Sequence, residues 1–152
     1  MIIDFLTLCA FLNASDIGED LVRFFVTVEN ESPSWRDLFT SSGAWDLSKY
    51  RKPIAELSTL SLVERQHTES TALHFSLHSL VARWLKMRIA ESRRVEFTME
   101  ATKLIAKYID EQDQDKLPLE TKQHLLAHMD ACLRDCHEFW KDFDIPDDFR
   151  EN

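Results

Sequence analysis

The residues of this chain best equipped for chemistry are histidines and cysteines, and six of the nine fall into two groups. His124, His128, Cys132 and Cys136 recur every four residues, the spacing that stacks side chains on one helix face. Imidazole and thiolate are metal ligands. But twelve residues of helix span about 18 Å at ~1.5 Å per residue, and zinc–ligand bonds are only ~2.0–2.3 Å long. One adjacent pair could chelate an ion; four ligands on a straight helix cannot surround one. The ladder reads as two apolar thiols in a core stripe with two boundary histidines, and no metal ligand is assigned. The second group lies in Leu73 to Leu85, Leu-His-Phe-Ser-Leu-His-Ser-Leu-Val-Ala-Arg-Trp-Leu. Here His78 closes a strand pattern and opens a helical one. A neutral imidazole N–H at such a junction can donate to an anion, and helix N-terminal amides favour the same anion. The plainer reading is a histidine satisfied locally at a strand–helix junction.

Much other chemistry is excluded by composition. Only Gly18 and Gly43 are glycines, so there is no phosphate-binding glycine loop, no dinucleotide-binding turn and no glycine-flanked nucleophile elbow. No serine, histidine or carboxylate stands in a recognisable catalytic motif, and no catalytic residue is assigned. The net charge is −9, unfavourable for nonspecific binding to phosphate backbones. It is unevenly spread: residues 1–61 carry −4, residues 62–94 carry +3 and residues 95–152 carry −8. Three cysteines, an odd number, suit a reducing compartment better than a disulfide framework. The apolar start Met1–Leu12 is interrupted by Asp4 and preceded by no basic residue, unlike a signal peptide. It is also too short to span a bilayer.

The elements that must position these residues follow from periodicity. With 44% apolar and 30% charged residues, 152 residues suit one compact domain or a small domain with a helical extension. Ile2 to Leu12 has a helical apolar face. A second helix follows Ser15 or Asp16, either of which can cap it, with Glu19 placed as the acidic partner of a capping box. Glu29 to Ser34 reads as a loop, and 35–45 as an inserted short helix and a turn at Gly43. Leu47 to Leu60 is a third helix with the stripe Ile54, Leu57 and Leu60, and Pro53 near its start. Then the period changes. Ser61–Gln66 and Ala72–Leu77 read as two strands of a hairpin joined by a polar turn at 67–71. His78 to Ala90 is helical again, with Leu80, Val81, Trp84, Leu85 and Ile89 sharing a side. Two further helices follow, separated by a charged loop at 110–116, and the last residues, 141–152, are a polar frayed tail. The expected core of the first unit is Phe5, Leu57, Leu62, Phe75, Leu80 and Trp84. The fold class is mainly α: a winged-helix domain, three helices plus a β-hairpin, at 1–92, and a helical pair at 93–140.

A winged helix raises DNA binding. The helix before the hairpin offers only Lys49, Arg51 and Lys52, all near its start, which is thin for a major-groove reader.

The His78 stretch resembles the end of the winged-helix domain of NB-ARC-type STAND NTPases, the switch ATPases of NOD-like and plant resistance receptors. It is similar in particular to fungal members carrying tetratricopeptide repeats, whose pattern runs roughly "f-s-[LM]-H-p-L-V-x-x-W". Phe75, Ser76, Leu77, His78, Leu80, Val81 and Trp84 match it. Upstream, Ser58 to Val63 resembles the family's "L-x-x-x-S-L-[IV]" entry into the hairpin, and Asp16 to Leu21 resembles "d-d-I-p-e-e-l" at its second helix. Downstream, Leu125 to His128 resembles the "l-l-p-H" found where the repeats begin.

The resemblance implies that His78 matches the histidine of the Met-His-Asp motif, which contacts the β-phosphate of bound ADP in these receptors. Leu77 stands in place of Met, and Ser79 in place of Asp, where it can still cap the next helix. The P-loop core of the family is not in the chain, so the resemblance implies a fragment or truncated product with no enzymatic activity or cofactor of its own; ADP and ATP belong to the intact parent. The implied function is a regulatory winged-helix module coupling nucleotide state to a sensor region in cytoplasmic signalling. Its partners would be the NTPase domain and helical repeats of the parent, with no membrane and no nucleic acid. The alternative is a free-standing winged-helix adaptor for a protein partner or DNA.

Overall fold

The computed structural model describes residues 1–27, 35–66, 72–112 and 117–140, with side chains up to 137. The loop at 29–34, the polar turn at 67–71, part of the charged loop at 110–116 and the tail at 141–152 lie outside the described residues, wholly or in part. The described residues form six α-helices with a three-stranded and a two-stranded antiparallel sheet, so the fold is mainly α.

Helix α1, Ile2–Phe11, is apolar on nearly every side, and such a helix belongs in the interior. Phe5, Leu6, Leu8, Cys9 and Phe11 are all buried. Burial drives the Cys9 thiol far above its ordinary pKa. After α1 the chain turns through Asn13–Asp16 into a two-residue strand, β1, Ile17–Gly18, and then helix α2, Glu19–Thr27. The strand was not expected from the sequence, because two residues carry no alternation signal. The capping box is not formed either. Glu19 is itself buried, its N–H donates to the Leu73 carbonyl at 2.9 Å, and its carboxylate accepts the Leu73 N–H at 3.1 Å. Glu19 thus prolongs the strand pairing instead of folding back on its own helix.

The insertion contains a 3-10 turn at Arg36–Leu38 and a hairpin of β2, Thr40–Ser41, and β3, Ala44–Trp45. Both loop residues take positive φ, Ser42 at 53° and Gly43 at 81°, the backbone that lets a two-residue turn match strand twist. Asp46 then caps α3, Leu47–Thr59, accepting the Ser48 and Lys49 N–H groups. Pro53 lies inside α3, not at its start. Strands β4, Val63–Gln66, and β5, His74–Leu77, form the expected hairpin, trimmed at both starts. The sheet order is β1-β5-β4, with Ile17 opposite Phe75 and Gly18 opposite His74.

Helix α4, Ser79–Met87, turns a different side inward from the one expected. Leu85 is buried, whereas Leu80 and Trp84 are 69% and 57% exposed. The apolar residues of α4 occupy two faces. Leu85, with Val81 and Ile89 half-buried, meets the core, leaving Leu80, Trp84 and Met87 outside. Of the six residues expected in the core, Phe5 and Phe75 are buried, Leu57 and Leu62 are half-buried, and Leu80 and Trp84 are outside.

The helical pair is α5, Glu91–Glu111, and α6, Leu119–Trp140. One cluster of buried side chains runs from α1 into both. Phe11 stacks on Phe97 at 5.9 Å, and Phe24 meets Tyr108 edge-on at 4.8 Å. Lys86 of α4 lies over the Phe11 ring and reaches both carboxylate oxygens of Asp135 on α6, at 2.9 and 2.8 Å. Packing is therefore continuous across residues 92 and 93.

Candidate functional site

His78 stands where β5 hands the chain to α4. Its backbone N–H donates to the Leu62 carbonyl at 3.2 Å and its carbonyl accepts from Ala82 at 3.0 Å. Its backbone, φ −57° and ψ 134°, makes it the N-cap of α4, and its Nδ1 accepts the Leu80 N–H at 3.3 Å. The cap is therefore His78 and not Ser79, which begins the helix proper. An accepting Nδ1 leaves the proton of the neutral ring on Nε2. His78 is exposed, so a ring donor sits at the surface of the strand–helix junction. Leu80, Trp84 and Met87 are exposed on the helix that His78 opens.

The possible DNA-reading cations are partly engaged within the chain. Lys49 Nζ donates to the Thr40 carbonyl at 2.6 Å, and Arg51 pairs with Glu19 at 3.3 Å.

The four-residue ladder on α6 splits among different partners. Cys132 is buried with its thiol 3.6 Å from the Phe11 carbonyl, and burial pushes that thiol up to about 11. Cys136 is half-buried. His128 is buried and its Nδ1 accepts the Asn13 N–H at 3.0 Å. Burial, with a smaller contribution from His124, lowers its pKa to about 4; Asp16 opposes them.

His124 instead joins two residues that sequence reasoning did not group with it. His74 Nδ1 lies 2.7 Å from Asp16 Oδ1, and His124 Nε2 lies 3.3 Å from Asp16 Oδ2. The two rings meet edge-on, with centroids 6.0 Å apart and planes 64° apart. Each of the three residues offers one ligand atom, and these atoms all lie within 4.8 Å of one another. Three segments supply them: the Asn13–Asp16 turn, strand β5 and helix α6. Gly18, opposite His74, gives the ring room, because a Cβ there would come 3.2 Å from His74 Cε1. The group borders a cavity of about 420 Å³, also lined by Asp20, Tyr108 and Glu120. No sequence pattern groups the three: the pairing of residues 17–18 with 74–75 that sets His74 beside Asp16 rests on a strand too short to carry an alternation signal.

No protein-family model, curated protein or solved structure matches the chain. Among the described residues no helix is long and apolar enough to cross a membrane.

Proposed function

We propose that this chain is a regulatory winged-helix module of a nucleotide-switched signalling NTPase of the NB-ARC type, in which His78 senses the β-phosphate of ADP held by the parent's NTPase domain. The observation that carries the reading is the setting of His78: exposed, at the end of a strand, with Nδ1 accepting the Leu80 N–H, which leaves Nε2 to carry the proton of a neutral ring. Such a group donates one hydrogen bond outward without disturbing its own helix. The order α1-β1-α2-α3-β4-β5, with the first strand paired to the last, supports a winged-helix arrangement carrying a small inserted hairpin. The open apolar faces suit partners on two sides. Leu80, Trp84 and Met87 are exposed along the helix that His78 opens and would meet the NTPase domain. Leu126 and Leu133 of α6 would meet a following helical repeat. In this reading the chain has no catalytic residue, and its place is the cytoplasm.

The test is ADP release from the intact parent protein, wild type against His78→Ala. One hydrogen bond to a charged phosphate is worth roughly 1.5–3 kcal/mol, so release should quicken by ~10–150-fold. Equal rates would refute the sensor role. The second reading, an adaptor for a protein partner, draws on the same exposed α4 face. It predicts that Trp84→Ala abolishes partner capture while His78→Ala leaves it intact.

A further inference from the structure

The geometry points to a Zn²⁺ site formed by Asp16, His74 and His124, independent of the nucleotide reading. Two imidazoles and one carboxylate are a donor set suited to zinc; magnesium and calcium take oxygen shells. Two ligand atoms on a tetrahedral zinc, each ~2.0–2.1 Å from the metal, stand roughly 3.4 Å apart. The two contacts end on the two oxygens of one carboxylate, His74 Nδ1 at 2.7 Å from Oδ1 and His124 Nε2 at 3.3 Å from Oδ2. Taking one atom from each residue, all three lie within 4.8 Å of one another, so closing on a single ion needs shifts of up to roughly 1–1.5 Å. A carboxylate can only accept when ionised, so the proton facing it at 2.7 Å is on His74 Nδ1. Binding through that nitrogen requires the proton to move to Nε2 or to pass to water.

Two features of the surroundings favour an ion here over a chance meeting of side chains. The donors are partly withdrawn from water, at 17%, 19% and 40% exposure for His74, Asp16 and His124. The neighbouring cavity is lined by further carboxylates, Asp20 and Glu120. Acidic surroundings favour a cation, and the cavity leaves room for a water in the fourth position. Because the ligands come from the Asn13–Asp16 turn, the sheet and α6, the ion would clamp the helical pair to the first unit.

The full chain, stripped of metal and kept reduced, is titrated with ZnCl₂ by calorimetry. One ion per chain should bind, with micromolar affinity or better. His74→Gln, His124→Gln and Asp16→Asn should each weaken it at least ~10-fold, while Cys136→Ser leaves it unchanged. Co²⁺ substituted into the wild-type chain should give the visible bands of a nitrogen–oxygen site with no thiolate charge-transfer band. That spectrum decides the matter even if a histidine variant fails to fold. The proposal is overturned if wild type binds no zinc at about 100 µM, if the His74→Gln/His124→Gln double variant binds as tightly as wild type, or if cobalt reports thiolate ligation.

Discussion

His128 Nδ1 accepts the backbone N–H of Asn13 at 3.0 Å, joining positions 115 residues apart. Asn13 immediately follows Leu12, the C-cap of α1. A ring on helix α6 thus accepts from the backbone of the turn that follows α1. The bond holds only while Nδ1 is unprotonated, and burial of the ring keeps it so by lowering its pKa to about 4.

That depressed pKa makes stability fall in mild acid. Above pH ~6.5 the ring is neutral in both folded and unfolded chains and exerts no pH effect. Below it the unfolded chain takes up a proton that the folded chain refuses, and stability is lost down to about pH 4. The loss is on the order of 2–4 kcal/mol. His128→Gln keeps an acceptor for Asn13 and removes the titration. Urea unfolding between pH 7 and 4 should give a flatter curve for the variant; parallel curves would show that His128 does not report the acid sensitivity.

Neighbouring residues of α4 should respond very differently to truncation. Leu85 is 1% exposed, and Leu85→Ala should cost about 2–5 kcal/mol through a cavity. Trp84 is mostly in water with the Arg88 guanidinium 5.5 Å from its ring centre, and Trp84→Ala should cost less than about 1 kcal/mol. Chemical denaturation of both variants checks the pair. A larger loss at Trp84 than at Leu85 would reverse the assigned inner face of α4.

Tyr50 offers a substitution that should not hurt. It is fully buried between Phe39 and Trp45, and its hydroxyl finds no hydrogen-bond partner among the described residues. Burial above all pushes its pKa far up. Tyr50→Phe removes a buried polar atom and keeps the ring, so stability should stay level or rise by up to about 1–2 kcal/mol. A loss beyond ~1 kcal/mol would mean that the hydroxyl is hydrogen-bonded in solution.

Lys86 and Asp135 should couple more strongly than the surface ion pairs. Lys86 is 31% exposed and Asp135 12%, whereas Arg23 and Asp20 are both over half exposed. A double-mutant cycle to alanine should give about 1–3 kcal/mol for the first pair and well under 1 kcal/mol for the second. Comparable values would indicate that α4 and α6 are joined by apolar packing alone.

Much of this architecture was legible before any coordinates. Periodicity marked the six helices, the period switch at Ser61 and the return at His78, and Gly43 marked its turn. What stayed hidden depends on contacts distant in sequence. Strand β1 has two residues, and its Ile17 is a strand residue only because Phe75 lies opposite. The inner face of α4 is settled by α1, on which it packs, since apolar residues occupy both of its sides. His124 was visible as a chemistry-bearing residue, but His74 read as a strand residue and Asp16 as a helix cap. It became their companion only once the sheet register and the position of α6 were fixed.

The exposed indole of Trp84 has an optical consequence. Trp35 is buried and Trp45 half-buried, so both already emit from surroundings that a docking partner would alter little. Trp84 stands in water at the centre of the open face of α4, three residues before Met87 and four after Leu80. In a Trp140→Phe variant, which removes the fourth tryptophan at the end of α6, a protein that seats on the α4 face strips water from the Trp84 indole and shifts its fluorescence to the blue, while one that binds the far side of α6 leaves the colour unchanged. The chain carries its own intrinsic dye for deciding which of its two open surfaces is engaged.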